Sequence, residues 1–315
     1  VVQLKPFSEM LPQTPDEQIV RHLVYRHCNV CPHDVSYSLS QFDFLLTAHD
    51  NVNPHSIKSF VDLENCFADL INKISGQKGD GFLIKEISPA DSVFSRTSIA
   101  VPVGLDTKNG YYTKIKVIIK VSVKTNPFEE DINGFKKHEL FLMAKIVIFL
   151  KKLNIQAYLT SSSIEIFYKN YCFTAKVYIS RQLKILYGMS LKNTDLKEMY
   201  INDSIKFHYQ SSHVSFIKGF ASRFPSFSST ARLFKRWISS QFLIEYVPEQ
   251  ICELITAYVY NNPYPYYCPH HHLNGLRQVL TLIHTYDWNN SIIVVSDPAS
   301  KVDESAVMEV ERAIK

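Results

Sequence analysis

Glycine is scarce in this chain, with 9 in 315 residues, about 3% against an ordinary ~7%. No Asp-x-Asp pair occurs anywhere, and no Gly-x-Ser-x-Gly elbow. Gly79-x-Gly81 precedes a predicted strand rather than a helix, so it lacks the context of a phosphate-cradling loop. Long apolar runs are missing too. The longest, Met143 to Leu150, is interrupted by Lys145 and falls far short of the ~18 residues of a membrane span. The six cysteines sit at no framework spacing and are read as reduced thiols of an intracellular protein. The chain opens on VVQLKPFSEM, with no Met and no signal-peptide pattern, and is read as a piece of a longer protein.

Aromatic and apolar residues, by contrast, are plentiful. Apolar residues make up 46%, with 20 Phe and 18 Tyr, which excludes intrinsic disorder. The length suggests two domains. Charge is unevenly spread. From Tyr111 to Ser240 there are 21 Lys and Arg against 8 Asp and Glu, whereas the remainder holds 13 against 22. A polyanion such as RNA would be drawn to the middle of the chain, unless the lysines are simply solvated.

Periodicity predicts a mixed α/β arrangement followed by a mainly helical one. Pro15 and Glu17 follow Thr14 as a helix start, and a second helix runs from about 56 to 74, ended by Gly76, Gly79 and Gly81. Strands are predicted at 82–87, 98–103 and 111–124. In the last, Ile115, Val117, Ile119, Val121 and Val123 point one way and Lys114, Lys116 and Lys120 the other. A helix at about 131–153 and strands near 155–159, 163–168 and 172–179 follow. Helices are then expected at about 209–222, 229–243, 249–260 and 272–286, with a closing strand at 292–295 and an acidic helix at 302–315. This divides the chain into residues 1–188, 189–300 and the start of a further segment at 301–315.

Two features invite chemistry. Cys28-x-x-Cys31, flanked by His27 and His33, is one zinc knuckle where a structural site needs two. Cys268 with His270, His271 and His272 is the other cluster, some 240 residues away, and both are read as incidental. The segment FSSTARLFKRWISSQFL at 227–243 is more informative. Ser228 or Ser229 could cap it, and Phe234, Trp237, Ile238 and Phe242 form an apolar stripe. Arg232, Lys235 and Arg236 are expected to face away or to sit at the edge of the stripe, either solvated or towards RNA phosphates or an acidic partner; Lys114, Lys116 and Lys120 are the second choice. Trp237 and Trp288 are expected in or near the helical core.

These residues carry a family resemblance. Ser226-Phe227 through Trp237-Ile238-Ser239-Ser240, ELITAY at 253–258, Asn262-Pro263-Tyr264-Pro265, Gly275-Leu276-Arg277 and Thr285-Tyr286-Asp287-Trp288-Asn289 resemble the nucleolar RNA-associated protein family, Nrap. Glu17–His27, Ser88–Val101 and the Phe167–Ile179 hairpin resemble the preceding Nrap domain. The resemblance implies a nucleotidyltransferase-like mixed-sheet domain, the family's fourth, and a helical poly(A) polymerase/oligoadenylate synthetase-like domain, its fifth. It also implies a nucleolar protein of the small-subunit processome, acting in pre-rRNA processing and small-subunit biogenesis. Pre-rRNA and snoRNP, an RNA-binding assembly factor and a casein kinase two subcomplex would be its partners, with no membrane contact and no cofactor.

Active relatives of that fold need a Gly-Gly or Gly-Ser turn and an Asp-x-Asp pair holding two metal ions. Here the matching turn reads Ser88-Pro89-Ala90-Asp91-Ser92, and the lysine-bearing strand offers cations where a third carboxylate would stand. The expectation is a non-catalytic scaffold without a metal site. The alternative is an active template-independent RNA nucleotidyltransferase.

Overall fold

Alternation of branched apolar residues with lysine makes Lys114–Val123 the second strand, β2, of a five-stranded sheet. The others are β1 (Phe82–Pro89), β3 (Gln156–Leu159), β4 (Ile164–Tyr168) and β5 (Tyr171–Ile179). Their order is β1-β2-β5-β4-β3. β2 and β5 run parallel, and the remaining neighbours antiparallel. The computed structural model describes residues 15–31, 34–35, 58–102, 104–105, 112–123, 132–179, 187–188, 194–263 and 265–296. Thr14, His33 and the helix expected at 302–315 lie outside them.

The helices are α1 (Pro15–Cys28), α2 (Lys58–Ile74), α3 (Ile132–Lys152), α4 (Thr194–Ser204), α5 (Gln210–Arg223), α6 (Phe227–Ser240), α7 (Glu249–Asn261) and α8 (His272–Thr285). A π-helical turn, Ile205–Tyr209, joins α4 to α5. The chain falls into two units that divide between Ser56 and Ile57. α1 belongs to the first, where Asn29 closes it in the left-handed conformation (φ 55°) and Cys28 and Cys31 are exposed. The sheet and all later helices lie in the second.

One face of the sheet is covered by α2 and α3. Phe67 of α2 lies 4.6 Å from the ring of Phe94 and 5.6 Å from that of Phe173, while Phe149 of α3 meets Phe82 edge-on at 5.8 Å. Gly76 (φ 77°) ends α2 and turns the chain into β1. The opposite face is not wholly open. Ile118, set among the β2 lysines, is buried with Ala90, Tyr178 and Phe207, and the last two rings stack at 5.0 Å. The π turn thus anchors the helical region onto the lysine face of the sheet.

The helical region is built around α6. Phe234 and Ile238 pack with Cys252, Ile255, Val259 and Val279; each fully buried side chain of this kind stabilises by roughly 1.5–3 kcal/mol. A second cluster joins Phe227 to Ile217, Phe220, Ala257 and Tyr260. Between them runs a satisfied polar seam, in which Ser226 and Thr230 each lie 2.8 Å from the Tyr260 hydroxyl. Gly275 brings α8 against this seam: a Cβ there would stand 2.3 Å from Thr230 Oγ1.

Several expectations are corrected. Residues 98–103 and 292–295 form no strand among the described residues. In the first segment backbone carbonyls are taken by a side chain of α6; in the second, Ile293 and Val295 pack on the helices without a strand partner. α6 begins at Phe227, so neither Ser228 nor Ser229 caps it. Trp237 is partly buried, 6.2 Å from Phe234 in a stacked arrangement, whereas Trp288 is half-exposed. Burial pushes the thiols of Cys66, Cys172 and Cys252 up to about 11, leaving them unreactive packing residues.

Candidate functional site

A cleft of about 400 Å³ opens between the lysine face of the sheet and the helical region. The turn after β1 forms one wall. Lys114 and Lys116 of β2 line the floor, and His213 of α5 with Glu249 and Glu253 of α7 line the far side. Carboxylates converging on such a cleft could hold the metal ions of phosphoryl transfer, so the state of its acids decides what it can do.

Asp91 is the acid in the β1 turn, and both its oxygens are engaged by backbone. Oδ1 accepts from the Val93 N–H at 3.1 Å, and Oδ2 accepts from the Lys116 N–H at 3.1 Å. Ala90 N–H donates to the Lys116 carbonyl at 3.1 Å, so the side chain and backbone of the turn clasp β2 together. Burial pushes the Asp91 carboxyl above its ordinary value, and its backbone donors offset this only in part. The ammonium groups on the neighbouring strand add the wrong charge for a dication. Among the described residues no group of His, Cys, Asp or Glu is arranged to hold a metal ion.

Across the cleft the carboxylates are committed to cations. Glu253 is buried and receives three side-chain donors: Lys235 Nζ at 2.6 Å, His213 Nε2 at 2.6 Å, and the hydroxyl of Thr97. Burial alone would raise its carboxyl. The His213 hydrogen bond, the charge and hydrogen bond of Lys235, and the Thr97 hydrogen bond outweigh it and hold the group at about 2. Lys235 also reaches Glu249 Oε2 at 3.1 Å, and Glu249 accepts from Ser92 Oγ at 3.0 Å. Thr97 and Ser92 belong to the β1 turn, so the network ties α6 and α7 to the sheet.

The candidate residues therefore separate. Arg232 and Lys235, expected on the outward side of α6 or at the edge of its stripe, are 2% and 0% exposed. Arg232 donates from Nε to the Ser98 carbonyl at 2.8 Å and from Nη2 to Ile99 at 3.3 Å, and it lies over the Phe60 ring. Burial lowers its guanidinium to about 10, which leaves it charged at neutral pH. α6 is buried on two sides, and the second side holds these cations. Arg236 alone of the three reaches the surface. On β2, Lys114 pairs with Glu165, Lys116 is exposed at the cleft, and Lys120 pairs with Glu86 at 3.0 Å. Sequence reasoning missed Glu249 and Glu253. Their spacing on one face of α7, opposite two cations three residues apart on α6, was the available signal.

Comparison with known proteins agrees with this geometry. The profile of the Nrap protein nucleotidyltransferase domain 4 matches residues 41–222, and that of the Nrap protein PAP/OAS1-like domain 5 matches residues 224–315. Nucleolar protein 6 of Xenopus laevis is 21% identical over 306 residues, covering 89% of this chain and 26% of that protein. U3 small nucleolar RNA-associated protein 22 of Saccharomyces cerevisiae is 23% identical over 260 residues, covering 76% of this chain and 21% of its own length. Human Nucleolar protein 6 is 20% identical over 307 residues, covering 89% and 26% respectively. The chain spans about a quarter of the length of the curated relatives it matches.

Proposed function

The chain belongs to the Nrap family, and from that premise we propose that it is a non-catalytic scaffold segment of the nucleolar small-subunit processome, acting in pre-rRNA processing through RNA and protein contacts. Residues 1–188 would be its pseudo-nucleotidyltransferase part and 189–300 its helical part. The names of its relatives, a nucleolar protein and a U3 small nucleolar RNA-associated protein, support the compartment and the setting. Pre-rRNA and snoRNP are the partners this setting offers, with an RNA-binding assembly factor and casein kinase two as further candidates.

The observation that carries the non-catalytic reading is the engagement of the cleft acids. Asp91 is bound on both oxygens by backbone N–H groups, Glu253 by three side-chain donors, and β2 presents lysines. A two-metal mechanism needs carboxylates free to bridge ions, so this cleft serves as a joint. RNA contact is assigned to surface cations, Lys114, Lys116, Lys120 and Arg236, while Arg232 and Lys235 are withdrawn from that role. The test is incubation of the chain with an RNA primer, labelled ATP or CTP, and Mg²⁺ or Mn²⁺. No incorporation into the RNA end is expected, and template-independent extension would overturn the reading.

A further inference from the structure

A second cavity, of about 350 Å³, lies in the helical region and shares no lining residue with the cleft. One wall is the loop before α8, with Tyr266, Tyr267 and His270; the other is the outer face of α8, with Asn274, Arg277 and Gln278. The last three sit at helical spacing, so their side chains reach the same groove. Tyr266 is half-exposed and Tyr267 is 89% exposed, although the neighbouring clusters bury several other aromatic rings. None of the described residues lining the groove is acidic, whereas the cleft has three acids.

Gln278 supplies the independent observation. Its Nε2 donates to the Tyr267 carbonyl at 3.0 Å, which ties loop to helix and fixes which way the amide points. The Oε1 atom is then left buried with no hydrogen-bond partner. Native structures seldom leave such an acceptor unused. It calls for a ligand carrying a donor, in a groove with aromatic rings at its rim and a guanidinium beside it.

We propose that this groove binds one unpaired nucleotide of an RNA strand. The base stacks on Tyr267 or Tyr266, an exocyclic amino group donates to Gln278 Oε1, and Arg277 meets the backbone phosphate. Stacking of unpaired bases on exposed aromatic rings is the general mode of single-strand recognition. Adenine, cytosine and guanine carry an exocyclic amino group, whereas uracil offers only its ring N3–H, whose two flanking carbonyls would face the Oε1 lone pairs, so the groove disfavours uridine. The RNA reading of the previous section supplies the class of ligand; the groove adds a site that the charge distribution does not reveal.

The experiment measures affinity of the 315-residue chain for short labelled oligo(A), oligo(C), oligo(U) and an RNA duplex, with AMP and a proline-rich peptide as competitors. The wild type should prefer oligo(A) and oligo(C) over oligo(U) and duplex. Tyr267→Ala should weaken oligo(A) binding about ten-fold, as loss of one stacking ring does, and Tyr267→Phe should restore it. Gln278→Leu should erase the preference over oligo(U) while its melting curve reports that the fold is intact. Competition by AMP at concentrations comparable to the oligonucleotide would reassign the groove to a free nucleotide, and competition by the peptide alone to a protein ligand. Binding that ignores Tyr267→Ala but is lost in the Lys114, Lys116 and Lys120 triple Ala variant overturns the groove and leaves the RNA reading standing. No RNA binding at any salt concentration overturns both.

Discussion

Helix α6 and strand β2 each carry three cations, at 232, 235 and 236 and at 114, 116 and 120, within the same basic stretch of the chain. On β2 they remain at or near the surface, two of them paired with glutamates, Glu165 of β4 and Glu86 of β1. On α6 two of them are interior, each holding groups from outside its own helix. The difference lies in what surrounds the backbone. β2 gives its apolar side chains to one face and leaves most of the other to water, whereas α6 is enclosed by α5, α7, α8 and the β1 turn. A count of lysines and arginines cannot distinguish the two situations, because it ignores where the matching acceptors lie. The interior cations meet Glu249, Glu253 and the carbonyls of Ser98 and Ile99, which sequence places far from α6 or on another helix.

The contrast can be broken most forcefully at Lys235. Lys235→Met should destabilise the chain by about 3–5 kcal/mol, since it strands buried Glu253 beside Glu249. A chemical denaturation midpoint close to wild type would show that the pair is dispensable. Gly275→Ala comes next. The added methyl meets Thr230 Oγ1 at 2.3 Å, so a cost of about 1–3 kcal/mol is expected from overpacking, read from the same denaturation curve. Trp237→Ala should cost about 3 kcal/mol, near the lower end for large aromatics, because the indole is only partly buried; thermal unfolding checks it.

Acid should sharpen the comparison. The folded carboxyl of Glu253 sits at about 2 against an ordinary 4.5. Its stabilisation is therefore complete above the unfolded value and is lost as pH falls from 4.5 through about 2. The stability gap between wild type and Glu253→Gln should be widest near neutrality and close across that window. A gap that does not change with pH would contradict the ionised, cation-held state. The smallest effect belongs to Arg236→Ala, whose side chain is exposed. It should leave the denaturation midpoint unchanged while lowering the salt sensitivity of any RNA binding, and a large loss of stability would place this residue inside with its neighbours.

Much of the architecture was legible from periodicity. α2, α3, β2, β5 and the helices α6 to α8 are long or strongly patterned, and their apolar positions repeat at the spacing each element requires. Residues 98–103 read as a strand because Ile99, Val101 and Val103 alternate, but the Arg232 guanidinium occupies the carbonyls of Ser98 and Ile99. The segment at α4 and the π turn has weak amphipathicity, and its contact with the sheet rests on Phe207 with Tyr200 packed beside it. The turn after β1 was readable because Asp91 stands there without a second acid two residues away. Its clasp on the Lys116 N–H was not, since a backbone partner leaves no mark on composition. The groove beside Tyr267 was hidden for a related reason: its walls are a loop and a helix face that only the fold brings together.

As a joint, the cleft between sheet and helices would be held by the buried charges of Lys235 and Glu253. A double-mutant cycle on the stability of Lys235→Met, Glu253→Gln and the combined variant tests it most directly. The combined variant should be clearly more stable than the sum of the single losses implies, with a coupling of about 2 kcal/mol or more, as expected for a buried hydrogen-bonded ion pair. Additive losses, with coupling near zero, would contradict it.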